Sequence, residues 1–216
     1  MQTPRPETKK GGKTRQRILL AGIKLSAKYG FTETSFQMVA DEIGLSQSAV
    51  MYHFPDKNSL FAGMVELMVR HNHETVSELM DMRDGAGRRL LKHCLGNVLW
   101  ALRYRDSDAQ VLPLLYYLSA RGGEFSDLFD GMIKVGRERL TEHLLAGVRE
   151  GAFKLKEDPA AVADSLQDAL FGAMLYAGSA RGQKPDKAAL ERKWAALLYS
   201  LTGWKNAGPV LPSGAL

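Results

Sequence analysis

Residues 34–61 read TSFQMVADEIGLSQSAVMYHFPDKNSLF. Thr34 and Ser35 are N-cap types, and Phe36, Val39, Ala40 and Ile43 then share one face at helical spacing before Gly44 stops the segment. Ser46 can cap a second short helix directly after the Gly44-Leu45 turn, with Val50 and Phe54 as its apolar contacts and Pro55 as its end. A supporting helix, a glycine turn and a short second helix make a helix-turn-helix, whose second helix enters the major groove of DNA. Gln47, Ser48 and Ala49 face outward first on that helix. A glutamine amide can pair with adenine, a serine hydroxyl with either kind of polar base edge, and Ala49 or Met51 with a thymine methyl. The hydroxyls of Thr34, Ser35 and Tyr52, the imidazole of His53 and the ammonium of Lys57 suit the phosphates on either side.

Working outward, the stretch before this motif is helical too. Ile18, Ala21, Gly22, Leu25 and Tyr29 recur at three- and four-residue steps, and Gly30 follows as a stop, which predicts a helix over 13–29. Residues 1–30 hold eight Lys or Arg against the single acid Glu7, so residues 1–12 are expected to be a basic, flexible arm. Such an arm fits phosphate backbones or anionic membrane surfaces, and it is equally often a solvated tail.

The run at 34–61, preceded by TRQRILLAGIKLSAKYGF at 14–31, resembles the DNA-binding domain of the tetracycline-repressor (TetR) family across its length. The resemblance implies that the positions of Gln37, Gln47 and Ser48 touch bases, and that those of Ser35, Tyr52, His53 and Lys57 touch the DNA backbone. Met51 stands where the family usually has tyrosine, which replaces a phenol contact with a hydrophobic one. It also implies a C-terminal helical bundle that binds a small effector and dimerises. In that bundle the last two helices pair with their twofold mates.

The downstream sequence accommodates this. Asp56 caps a long segment to about residue 82 that joins the two parts, and four more helices are expected up to about residue 180. They fall near 90–105, 106–121, 125–150 and 159–180, the third of them closed by Gly151 and the fourth opened by Asp158-Pro159. A last helix capped by Asp186 brings the total to about nine, in an all-α chain. The domains are therefore expected at 13–60 for DNA binding and 61–205 for ligand binding and dimerisation, with a disordered tail over 206–216. Ala169, Gly172, Ala173, Ala177 and Ala180 form a small-residue stripe that would let helices approach closely, and with Trp194, Leu197, Leu198 and Leu201 it could build the dimer interface or face an intrachain core. Trp100, Tyr104, Tyr116, Tyr117, Phe171, Met174 and Tyr176 are the candidate lining of an effector cavity, and the sparse charge among them points to a hydrophobic effector.

Other function classes fit less well. Cys94 is the only cysteine, which excludes an internal disulfide and a zinc site built on several thiolates. No apolar run is long enough to span a bilayer, so a cytoplasmic protein with neither metal nor cofactor is expected. His71-Asn72-His73 superficially resembles an HNH nuclease motif and His93-Cys94 a catalytic pair, but both lie in helical runs, where adjacent residues point apart. The reading is a ligand-responsive regulator that binds a palindromic operator as a homodimer, with an effector-independent architectural DNA-binding protein as the alternative.

Overall fold

The computed structural model describes residues 9–179 and 186–211. Its elements are α1 (Lys9–Tyr29), α2 (Phe36–Ile43), α3 (Gln47–His53), α4 (Lys57–Leu79), α5 (Ala86–Arg103), α6 (Val111–Ser119), α7 (Glu124–Arg149), α8 (Pro159–Ser179) and α9 (Lys187–Thr202). A single 3-10 turn, Asp108–Gln110, precedes α6, and no strand occurs among the described residues.

Helix boundaries follow local chemistry. The Ser35 hydroxyl oxygen accepts the Met38 N–H at 3.2 Å to open α2. Gly44 closes α2 at φ 67°, ψ 40°, a left-handed conformation that glycine adopts without a Cβ penalty. At α4 the cap is reciprocal: Asp56 accepts from the Ser59 N–H at 2.7 Å while the Ser59 hydroxyl oxygen accepts from the Asp56 N–H at 3.3 Å. Pro113 falls in the first turn of α6, where its missing N–H has no intrahelical partner to lose, so the helix is not kinked there.

The chain departs from expectation at both ends. Helix α1 starts at Lys9, inside the segment expected to be a flexible arm, and runs through Gly11 and Gly12. After α9, Trp204 lies directly on Gly87 at the start of α5. Beyond it, the N–H groups of Val210 and Leu211 donate to the Glu191 carboxylate, and Val210 is buried. The stretch 206–211, expected to be disordered, is thus laid against the bundle by one apolar anchor and one carboxylate.

Helices α1 to α3 form a three-helix unit at one end, and α5 to α9 form the bundle at the other. The two share one continuous hydrophobic core, because α4 runs through both. Its first turns bury Leu60, Phe61 and Met64 against α1, and its later turns carry Leu67 and Met68 into the bundle. Phe61 packs on Phe31 at 4.6 Å between ring centroids and edge-on to Phe125 of α7 at 5.2 Å.

Candidate nucleic-acid interface and effector cavity

The turn from α2 to α3 is held from within. The Leu45 N–H donates to the Ala40 carbonyl at 2.9 Å, and Arg17 of α1 reaches the Ile43 carbonyl at 2.6 Å, tying off the C-terminus of α2. Val39, Ala40, Val50 and Phe54 are buried beneath it, which fixes the angle at which α3 leaves the surface. What α3 then offers to solvent is the set expected. Gln47 and Ser48 are exposed, Ala49 is half-buried, Met51 is 43% exposed and Tyr52 79% exposed. Two bulky apolar or aromatic side chains held in water on one short helix form a surface that none of the described residues covers.

The flanking residues divide. Ser35 is exposed and its oxygen is engaged as an acceptor in the cap, which leaves its O–H free to donate. Lys57 lies beside α1, its ammonium donating to the Thr32 carbonyl at 2.8 Å and standing over the Phe31 ring, with further N–H donors to spare. Gln37 is exposed and donates to Asp41 one turn on at 2.7 Å, so it must exchange that partner to read a base. His53 is half-buried, edge-on to the Tyr52 ring. Thr34 does not belong with them. It is 3% exposed and its hydroxyl donates to the Gly30 carbonyl at 2.8 Å, so it fastens the turn after α1 and presents nothing to a phosphate.

The second site is a cavity of about 940 Å³ within the bundle, walled by α4, α5, α7 and α8 with Leu112 of α6. Trp100, Phe171 and Met174 line it as expected. Tyr104, Tyr116, Tyr117 and Tyr176 do not. Tyr104 stacks on His71 at 5.5 Å, and Tyr116, Tyr117 and Tyr176 are 52%, 60% and 73% exposed, because their helices turn those positions outward. The expectation of a charge-poor lining is also corrected. Glu66, Arg89, Asp127 and Arg139 are charged members of the lining, and His73, His93, Asn97, His143 and Gln167 add uncharged polar groups. A signal for some of them lies in the sequence: His93 and Asn97 interrupt the apolar run of α5, and Gln167 sits between Leu166 and Leu170, at positions a filled core would keep apolar.

The electrostatics of this wall are set by burial. Burial pushes the His93 imidazole down to about 3, with the neighbouring His143, Arg139 and His73 adding to the effect. His73 and His143 are likewise held below the ordinary imidazole range, first by burial and then by Arg139 and Arg89 respectively. The three rings are therefore neutral near pH 7 and serve as hydrogen-bonding groups. Arg139 donates to His73, Nη2 lying 3.2 Å from Nδ1, and the His93 and His143 rings lie 5.0 Å apart. Cys94 is fully buried with its thiol pushed up by desolvation, which makes it inert packing. Among the described residues, no group of histidines, cysteines and carboxylates has the geometry of a metal site.

The residues expected at a dimer interface also separate. Trp194 and Leu198 are 2% and 0% exposed within one protomer, where α9 lies along α5, and Ala177 is buried beside the 3-10 turn. These three are core. Ala169, Ala173, Leu197 and Leu201 are half-buried, and Gly172 is exposed with open space where a Cβ would stand. Ala180 lies outside the described residues.

Residues 18–64 match the model of the tetR family of bacterial regulatory proteins. The chain is 26% identical over 113 residues to the HTH-type transcriptional regulator AcrR of Shigella flexneri, an alignment covering 52% of this chain and 53% of that protein. The chain spans little more than half the length of the curated relatives it matches. A TetR transcription regulator from Haloarcula marismortui superposes with a TM-score of 0.74 at 18% identity, covering 88% of this chain and 99% of that one. AibR, solved with isovaleryl coenzyme A and operator DNA, superposes with a TM-score of 0.64 at 18% identity, covering 87% and 97%. At those identities the superpositions establish the shared fold.

Proposed function

We propose that this chain, whose residues 18–64 match the tetR family of bacterial regulatory proteins, is a ligand-responsive repressor that binds a palindromic operator as a homodimer and leaves it when a small molecule fills the bundle cavity. One observation carries this reading: α4 belongs to both sites. Leu60, Phe61 and Met64 of α4 are packed in the three-helix unit that holds α3, while Val65, Met68, Asn72, His73 and Val76 of the same helix line the cavity. A molecule entering the cavity displaces one end of a helix whose other end positions the reading helix.

The DNA-binding half of the proposal assigns base contacts to Gln37, Gln47, Ser48, Ala49 and Met51, and backbone contacts to Ser35, Tyr52, His53 and Lys57. A symmetric dimer would set two copies of α3 about 34–36 Å apart, one turn of the duplex, and the ligand would select a different spacing. The open face of α8 at Gly172, flanked by Ala169 and Ala173, supports the dimer contact, as do the half-buried Leu197 and Leu201 of α9. The size of the cavity favours a sensor over an architectural protein, whose bundle would be filled. Among the described residues no helix is long and apolar enough to cross a membrane.

The test is selection of bound fragments from a random duplex library by the purified protein, followed by footprinting. Recovery of an inverted repeat with half-sites one helical turn apart supports the reading. Monomeric protein, or capture without sequence preference, overturns it. Transcription from a promoter carrying the recovered repeat then distinguishes repression from activation.

A further inference from the structure

The cavity contains a cation that lacks an acid. Arg139 is half-buried in its wall and forms no ion pair with any described residue, its donor contacts going to the His73 ring. Other arginines of the bundle are matched: Arg89 with Glu150 at 2.5 Å, Arg103 with Glu78 at 2.8 Å and Arg137 with Asp164 at 2.9 Å. A guanidinium stays charged at any physiological pH, and a charge withdrawn from water without a counterion is unfavourable. Glu142, one turn on along α7, acts on it through space but forms no ion pair with it. Glu66 and Asp127 touch the cavity but are exposed at its rim, Glu66 reaching toward Arg15 at 3.5 Å, and Glu142 is exposed.

The polarity of the lining also changes along the helices. On α7, Leu128 and Met132 precede Arg139 and His143, and on α8, Gln167 precedes Leu170, Phe171 and Met174. Met132 and Arg139 are separated by about 10 Å of helix rise, so Arg139 and His143 lie toward one end of the cavity and Leu128 and Met132 toward the other, where the exposed Glu66 and Asp127 stand at the rim.

Resting on the sensor reading above, we infer that the effector is an elongated amphipathic carboxylate, its head seated on Arg139 beside His73 and its apolar body directed toward Leu128, Met132, Phe171 and Met174. A carboxylate accepts the two parallel N–H bonds of a guanidinium fork, which a neutral alcohol cannot do and a cation opposes. Methionine and aromatic side chains at the far end adapt to flexible chains.

Titration of the full chain with decanoate, 1-decanol and decyltrimethylammonium, followed by tryptophan fluorescence and calorimetry, tests this. Decanoate should bind at least tenfold more tightly than 1-decanol, and the ammonium more weakly than either. In Arg139→Gln the preference for decanoate over decanol should fall below threefold through loss of decanoate affinity, while Arg139→Lys should retain part of it. Equal binding of decanoate and decanol by the native chain overturns the head-group assignment and leaves the sensor reading intact, as does tighter binding of the ammonium. An Arg139→Gln variant that keeps the full preference overturns the assignment of Arg139. Should none of the three probes bind, the carboxylate inference fails, and failure of a wider apolar library to bind would remove the sensor reading with it.

Discussion

His71 Nδ1 of α4 lies 2.6 Å from Oδ1 of the buried Asp108 in the 3-10 turn, a part-buried contact that fastens the linking helix to the corner between α5 and α6. The same corner is bound from two other sides. Ser107 donates to Asp108 at 3.0 Å, and Gln110 donates to the Gly178 carbonyl at the end of α8 at 2.9 Å. Helix α1 leans on this turn as well. The corner is therefore where the linking helix, the cavity helices and the DNA-binding unit are all in contact.

Asp108→Ala should leave the His71 ring buried without its acceptor and lower stability by about 1–3 kcal/mol, read as a shift of the urea midpoint with unchanged slope. A variant as stable as the native chain would mean that the pair contributes no net energy.

Gln47→Ala should relax sequence preference at one operator position by about 1–3 kcal/mol while leaving affinity for random duplex unchanged, as measured by competition binding. Lys57→Ala should instead weaken all sequences similarly and reduce the slope of log affinity against log salt by about one. Equal losses on operator and random DNA for Gln47→Ala would remove it from the reading face.

Gly96 on α5 faces α4 so closely that an added Cβ would stand 3.0 Å from the Val76 Cα. Backbone cannot swing aside as a side-chain tip can, so Gly96→Ala should push α4 off α5 and destabilise the fold by about 1–3 kcal/mol. Because Val76 lines the cavity, the same variant should change ligand affinity, which calorimetry will register.

Stability should fall on acidification. His93 titrates near the ordinary imidazole value of 6.5 when unfolded and at about 3 when folded, so between those values the unfolded chain binds the extra proton. Its contribution is present in full above pH 6.5 and is lost as pH drops toward 3, with a slope of up to about 1.4 kcal/mol per pH unit. His73 and His143 shift in the same direction and steepen the loss. Melting temperatures at pH 7 and pH 5 should therefore differ, and His93→Gln should narrow the difference. A flat profile in the native chain would contradict the burial of these rings.

The helix-turn-helix was legible in the sequence because its signals are local. Ser35, Gly44, Ser46 and Asp56 each act on a backbone group within a few residues, so caps and stops can be read without knowing what packs where. The cavity was not legible in the same way. Helical spacing tells that Tyr116 and Tyr176 recur with apolar neighbours, but which side of a helix meets the bundle axis depends on the other helices. Trp194 and Leu198 illustrate the same limit: they do form an apolar stripe, and the structure gives it to α5 of the same protomer. What the pattern did carry was the anomaly of His93, Asn97 and Gln167 on inward faces, polar groups that a filled core would exclude.

The Phe31, Phe61 and Phe125 rings have a genetic corollary. Since Phe125 in the first turn of α7 meets Phe61 of α4, which packs on Phe31, strain entering along α7 reaches the first turns of α4 beside the DNA-binding unit. Mutants selected for permanent silence, deaf to inducer yet still seated on their operator, should therefore arise in two clusters, one along the cavity side of α4 and one around Phe125.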